Sequence, residues 1–182
     1  ADALRVEYKT IVDSGLDVQI DDAFFPYMQE KLCPPMTLGQ YRKWAQLRID
    51  ALNRALEGIP LEKTRYHICW GSWSGPHMFD VPLKDIIDIM LQVNVGAYSF
   101  EAANVRHEHE WAVWQDTKLP DDKVILPGVV GQATNVGEPP ELVGERIGRL
   151  AKRGRRGGGM PMTDCGPGGR VHRDNTWAEL LT

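Results

Sequence analysis

Tyr66-His67-Ile68-Cys69-Trp70 carries two metal-ligand side chains, two residues apart, at the end of a short apolar run. Arg65 to Cys69 reads as a β-strand. Along a strand, residues i and i+2 face the same side, so His67 and Cys69 point together. The arrangement recurs outward from this run. Leu16-Asp17-Val18-Gln19-Ile20 reads as a strand leading into Asp21-Asp22, and Ala97 to Phe100 leads into Glu101. Lys123 to Val130 is a further strand, and a weaker one near Gly159 to Thr163 precedes Asp164-Cys165-Gly166.

Between the strands the apolar spacing turns helical. Leu4, Tyr8, Ile11 and Val12 recur with helical period before Gly15. Leu38, Tyr41, Ala45, Ile49, Leu52 and Leu56 form an amphipathic stripe from about Thr37, a plausible N-cap, to Glu57, and Gly58 and Pro60 stop it. A helix is expected from Leu83 to Val93, and Pro139 or Pro140 opens another running to about Lys152. The polar segment after Glu101 through Trp114 can also be helical, while Pro26, Pro34 and Pro35 mark a loop.

Strands alternating with helices imply parallel strands joined by crossovers. An open doubly wound sheet and a (β/α)8 TIM barrel both satisfy that alternation. Functional-looking residues follow at least four strands, and a barrel brings many strand ends to one rim, whereas an open sheet spreads them along an edge. The barrel is favoured. A complete barrel has eight βα units and about 250 residues, whereas this chain has 182 residues and five strand-like runs. Residues 1–182 are therefore expected to be the C-terminal portion of a single barrel. An N-terminal half, or another polypeptide, would cover the open strand edges.

Composition is that of a globular protein: 42% hydrophobic, 25% charged, net charge −4. That charge gives no reason to expect nucleic acid or an anionic membrane as partner. The basic cluster Lys152-Arg153-Gly154-Arg155-Arg156 reads as a solvated helix end. No run approaches the about 20 apolar residues of a membrane span, and the first residues lack the pattern of a signal peptide. Three widely spaced cysteines argue against a disulfide framework and for a reducing cytoplasm. Cys33, beside Pro34-Pro35, reads as an unligated thiol.

His67, Cys69, Glu101 and Cys165 are ligand types that hold zinc. Two thiolates and an imidazole select zinc over magnesium or calcium. A structural zinc is usually closed by four Cys or His ligands, so a carboxylate fourth donor points to an exchangeable position. Swapping that carboxylate for a substrate thiolate leaves the charge of the site unchanged, and electron-rich zinc lowers a thiol's pKa while keeping its sulfur nucleophilic. The expected chemistry is alkylation of sulfur. A His-x-Cys pair alone is more often a packing detail; with Glu101 and Cys165 following two further strands, a metal site and chance are evenly matched on spacing alone.

Other candidates read as structural. His107 and His109 in Arg106-His107-Glu108-His109-Glu110 do not share a helix face, so they suit a polar rim segment, from which Arg106 or His107 can reach substrate. His77 and His172 stand alone on Gly/Pro-rich loops and read as solvated. Trp70 and Trp73 suit either a pocket wall or packing. Gly166-Pro167-Gly168-Gly169 lacks the Lys-Ser/Thr of a phosphate loop.

Gln19-Ile20-Asp21-Asp22, His67-Ile68-Cys69, Phe100-Glu101, Pro127-Gly128-Val129-Val130 and Thr163-Asp164-Cys165-Gly166 together span most of the chain. In that order they resemble the cobalamin-independent methionine synthase family, including its shorter branch of epoxyalkane:coenzyme M transferases. The resemblance implies the C-terminal half of a zinc-bearing TIM barrel, with zinc on His67, Cys69, Glu101 and Cys165 and a substrate ammonium on Asp21. Two departures stand out. Asp21-Asp22 replaces the Asp-Glu of the methionine synthases, as in the shorter branch. After Val130, where the family often carries a histidine, the chain reads Gly131-Gln132-Ala133. Gln132 can hydrogen-bond a substrate but cannot do acid–base work near neutral pH.

The expected function is that of a zinc-dependent thiol alkyltransferase, an S-methyltransferase of methionine biosynthesis. Its acceptor is a small thiol, homocysteine with a methyl-folate donor, and the exchangeable Glu101 is its catalytic residue. Alkylation of coenzyme M by an epoxide is the alternative, and an inactive fragment a further one. A zinc hydrolase ranks last, because two thiolates make zinc a poorer Lewis acid for activating water. A homo-oligomer or a completing N-terminal half is the expected macromolecular partner.

Overall fold

Every sequential strand pairs with the next one in parallel, and the order never reverses. The strands are β1 (Val18–Asp21), β2 (Thr64–Ile68), β3 (Ala97–Phe100), β4 (Val124–Val130) and β5 (Met162–Thr163), arranged β1-β2-β3-β4-β5. A doubly wound sheet switches direction at a crevice, whereas a barrel keeps adding neighbours on one side. The five parallel strands form a half-barrel. The structure, a computed structural model, describes residues 1–71, 76–151, 159–166 and 171–181. Lys152-Arg153-Gly154-Arg155-Arg156, Trp73, Gly157-Gly158 and Pro167-Gly168-Gly169 lie outside those residues.

The helices cover the outer face. α1 (Asp2–Asp13) lies against α3 (Leu38–Leu56), and α3 packs on α2 (Phe24–Leu32) and on α4 (Ile87–Met90). Gly15, with φ +89°, follows α1 in a conformation that suits glycine. Thr37 caps α3 as expected: its hydroxyl accepts from Gln40 N, and the Gln40 side chain returns to Thr37 N at 2.8 Å. Alternate strand residues, Tyr66 and Ile68 on β2 and Tyr98 and Phe100 on β3, are buried with Tyr41, Ala45 and Ile49 of α3 and Met90 of α4. Burying an aliphatic or aromatic side chain contributes roughly 1.5–3 kcal/mol, so this layer dominates the stability of the half-barrel.

Three expectations need correction. The segment with Pro26 is α2 and not a loop. Pro26 sits in the first turn, where no backbone donor is needed, and Asp22 Oδ1 caps the turn by accepting from Phe25 N at 3.0 Å. The helix expected over Leu83 to Val93 is shorter. A 3₁₀ turn, Leu83–Asp85, meets the single turn of α4 at Ile86, whose φ/ψ of −132°/−11° is not helical. The polar segment is a 3₁₀ helix, Glu108–Ala112, followed by the short α5 (Val113–Asp116). α6 (Pro140–Ala151) opens at proline as expected, and α7 (Arg173–Leu181) follows β5. β5 has only two residues and a register shift against Gly128 and Val130, in keeping with the glycine and proline before it.

Candidate metal centre

The register of the sheet builds the site. Asp21 on β1 pairs with His67 on β2, and His67 pairs with Ser99 on β3. The three therefore line one face, opposite to the apolar Tyr66 and Ile68. His67 Nδ1 lies 2.7 Å from Ser99 Oγ, which in turn donates to Met162 Sδ at 2.9 Å. A hydroxyl giving its proton to sulfur has a lone pair left for Nδ1–H, so we assign the Nδ1-H tautomer. His67 Nε2 is then a bare acceptor. It is buried, in a residue 2% exposed, and has no hydrogen-bond partner.

Cys69 follows β2 directly and Cys165 lies two residues beyond β5. The His67, Cys69 and Cys165 donor atoms lie within 4.8 Å of one another. The two thiols are hydrogen-bonded, Cys69 donating to Cys165. The bond from Cys69, opposed by burial and helped by His67, holds Cys165 below the ordinary thiol range; that same bond together with burial pushes Cys69 up. An orphaned imidazole nitrogen facing two sulfurs, one already inclined to ionise, fits a thiophilic cation, and zinc suits that donor set.

Glu101 stands just past β3, 1% exposed and outside that close trio, with Oε1 unpartnered. Its Oε2 accepts from Asn104 Nδ2 at 3.3 Å and Arg106 Nη2 at 3.5 Å. Burial pushes its carboxyl up to about 7, against the pull of Arg106, and Asp164 and Cys165 add to the rise. Asp21 is exposed, with Oδ1 3.9 Å from His67 Nε2. Burial is the main cause that raises its pKa, and His67 opposes it. Gln132, past β4, is buried with both amide atoms unpartnered.

Behind Glu101 lies a network that the sequence reading did not foresee. His107 is buried, not on a polar rim. Its Nδ1 meets Glu110 Oε2 at 2.8 Å, its Nε2 meets Asp80 Oδ2 at 3.2 Å, and its ring stacks on Trp70 at 3.8 Å between centroids. Burial lowers the pKa of His107, but the two carboxylates outweigh it and raise the pKa. His77 is not solvated either: its Nδ1 lies 3.0 Å from Asp80 Oδ1. Arg106 reaches Asp80 Oδ2 at 3.0 Å. Each histidine has a carboxylate three residues on, Asp80 after His77 and Glu110 after His107, and only the second partner of His107, Asp80, comes from a loop distant in sequence. Trp70 Nε1 donates to Val81 O, making it a packed core residue. Cys33 is a free thiol and His172 is exposed, as read.

Asp164 is the other missed residue. It is fully buried, and its Oδ1 accepts from Ala102 N and Ala103 N, each at 2.8 Å, and its Oδ2 from Asn104 Nδ2 at 2.9 Å. Gly128 makes room for it, since a Cβ there would lie 2.5 Å from Asp164 Cα and closer still to Oδ1. The signal was in plain view: an aspartate directly before a candidate ligand, and a glycine in the middle of a strand.

No family model matches the chain. It is 23% identical over 192 aligned positions to 2-hydroxypropyl-CoM lyase of Xanthobacter autotrophicus, an alignment covering 91% of this chain and 47% of that protein. Among solved structures it is similar to a B12-independent methionine synthase from Shewanella sp. W3-18-1 in complex with selenomethionine, with TM-score 0.72 and 21% identity. That match covers 98% of this chain and 50% of the other. The fold is therefore that of half a B12-independent methionine synthase barrel. A proposed vitamin B12-independent methionine synthase from Listeria monocytogenes shares the fold at TM-score 0.64 and 15% identity, over 98% of this chain and 49% of that one. The chain thus spans about half the length of these methionine synthases and of the lyase. No helix among the described residues is long and apolar enough to cross a membrane.

Proposed function

We propose that the chain is the zinc-bearing portion of a thiol alkyltransferase, with His67, Cys69 and Cys165 holding the metal and Glu101 as its exchangeable fourth donor. The observation that carries this reading is the trio itself, whose donor atoms lie within 4.8 Å while His67 Nε2 is buried without a partner. Zinc held there supplies a thiophilic Lewis acid that keeps an incoming thiol deprotonated yet nucleophilic near neutral pH. The surrounding residues do the rest. Ser99 fixes the His67 tautomer from Nδ1. Glu101 Oε1, unpartnered, is the atom that can take up the thiol proton, and a carboxyl pushed up to about 7 can hold it near neutral pH.

The acceptor that fits best is an amino thiol, homocysteine, with a methyl-folate-type donor, giving methionine. Asp21 is an exposed carboxylate beside the trio and can take an ammonium. Arg106, the cation nearest Glu101, is already bound by Asp80 and Glu101, which leaves it poorly placed for a sulfonate. The similarity to 2-hydroxypropyl-CoM lyase favours a second reading, in which coenzyme M is alkylated by an epoxide. Gln132, with both amide atoms free, is a hydrogen-bonding group for either substrate. In this reading residues 1–182 are the C-terminal portion of one barrel, working in the cytoplasm, with the donor pocket completed by an N-terminal half or a second copy.

The test is metal analysis of the purified protein followed by addition of homocysteine or coenzyme M. One zinc per chain whose coordination gains a sulfur on adding thiol is the expected result, and an Asp21→Asn variant should lose homocysteine binding selectively. Protein that takes up no zinc would overturn the reading.

A further inference from the structure

We propose that Asp164 and Asn104 form one positioning unit that registers Cys165 against Glu101. The sequence separates these groups by some sixty residues, and no strand pairing joins their loops, because β4 lies between β3 and β5. The link is made by side chains. Asp164 immediately precedes Cys165, and its carboxylate is anchored on Ala102 N, Ala103 N and Asn104 Nδ2 in the loop that begins at Glu101. Its backbone N–H donates to Val130 O at 2.9 Å, tying the same residue to β4.

Asn104 completes the unit. Its two Nδ2 protons are divided between Asp164 Oδ2 at 2.9 Å and Glu101 Oε2 at 3.3 Å. Its Oδ1 accepts from Arg106 N at 3.0 Å and His107 N at 3.2 Å. The amide can face only one way, since the flipped orientation would set its oxygen against two carboxylates and its NH₂ against two backbone donors. One amide therefore holds Asp164 and Glu101 at a fixed separation, and Asp164 carries Cys165 with it. All three side chains are buried, so no water substitutes cheaply for a lost partner. Asp164 and Asn104 are positioning residues, acting on the metal donors through hydrogen bonds of their own.

The consequence for catalysis rests on the zinc reading, but the geometry can be tested without metal. Phenylarsine oxide condenses with two adjacent thiols, forming two As–S bonds and releasing water, so its affinity for metal-free protein reports the register of Cys69 and Cys165. Asp164→Asn keeps an oxygen for the Ala102 and Ala103 donors but turns an NH₂ toward the Asn104 NH₂. The expected result is arsenical binding weaker by about 10- to 100-fold, in the range for residues that orient metal ligands. Asn104→Ala should weaken it similarly, and the double variant should be no weaker than the weaker single one, because both changes cut the same link. Ile49→Val, on α3 in the layer with Tyr66 and Tyr98, controls for lost stability and should leave the affinity unchanged.

Parental affinity in either folded single variant, or losses that multiply in the double, would overturn the proposal. If Asp164→Asn does not fold, Asn104→Ala decides alone. A protein with coupled losses that binds no zinc would refute the alkyltransferase reading and leave this one standing.

Discussion

Gly128→Ala is a single methyl group aimed at the joint between β4 and Cys165. The added Cβ would lie 2.5 Å from Asp164 Cα and 2.9 Å from its backbone N, distances that real Cβ atoms do not tolerate. The obstacle is backbone and a buried carboxylate, not the free end of a flexible side chain, so Asp164 must move as a whole. Overpacking of this kind costs about 1–3 kcal/mol. Displacing Asp164 also strains its three hydrogen bonds, and losing one bond to a charged group adds about 2 kcal/mol. The expected destabilisation is about 3–5 kcal/mol. For a chain of 182 residues that lowers Tm by roughly 10 °C. Gly144→Ala is the internal control: nothing lies within 4 Å of its Cβ position in α6, so alanine should stabilise by about 0.5–1 kcal/mol through helix propensity. Thermal unfolding followed by circular dichroism, together with zinc competition against a chelator, reads both. Gly128→Ala should lose Tm and zinc affinity, while Gly144→Ala should lose neither. A Gly128→Ala protein with parental Tm and parental zinc affinity would refute the account of how Cys165 is held.

Ser99→Ala removes the acceptor that fixes His67 and should weaken zinc binding by about tenfold with little loss of secondary structure; unchanged affinity would show that the tautomer is held another way. Cys165→Ser should abolish stoichiometric zinc, and a variant that retains it as tightly as the parent would remove Cys165 from the site. Glu101 sets a pH dependence in metal-free protein. Its folded pKa is raised from 4.5 to about 7, so the folded state holds a proton that the unfolded state has released, and stability from this group falls as pH rises from about 4.5 to 7. The rise corresponds to about 3 kcal/mol. Denaturant titrations across that window should flatten in Glu101→Gln, and an identical slope in parent and variant would contradict the buried, uncharged carboxyl.

The alternation of strands and helices was legible because the outer face of a half-barrel is buried by a few periodic stripes, such as Tyr41, Ala45 and Ile49 of α3, whose spacing is local. The residues that come together at the site were legible for a related reason: each ends a strand, and parallel strands in sequential order share an end. α2 escapes a reading by composition because proline breaks a helix everywhere except its first turn, where Pro26 sits, and because the cap from Asp22 depends on how the chain turns after β1. His107 and His77 each have a carboxylate three residues on, Glu110 and Asp80, but that local pairing does not reveal burial, which comes from the Trp70 ring stacked on His107 and from the Asp80 loop that joins the two histidines. Asp164 was legible only in part: the neighbouring Cys165 and the mid-strand Gly128 marked its place, but not its contacts. Its partners Ala102, Ala103 and Asn104 offer two backbone amides and one side chain, none of which carries a sequence signature.

The distance between the donors also says how the sheet must be shaped. β2 and β5 are three strand intervals apart, and at about 4.8 Å per interval a flat sheet would separate His67 and Cys165 by about 14 Å. Their donor atoms lie within 4.8 Å. Curvature supplies part of the difference, and the reach of the Asp164-Cys165-Gly166 loop back across the strand ends supplies the remainder. The loop is held there by Asp164, because β5 itself pairs over only two residues. A metal bound by the trio would strap β2 to the chain after β5 and stabilise the curved state over any flatter one, by mass action on the form that already has the ligands together. Metal removal should therefore loosen β5 and the Cys165 loop first, while β1 to β3, anchored by the Tyr66, Tyr98 and Phe100 layer, hold. Hydrogen exchange is the measurement that separates the two: faster exchange at Met162 to Asp164 on chelation, with Tyr66 and Ile68 unchanged, is the expected pattern, and uniform protection throughout would mean that the curvature needs no metal to maintain it.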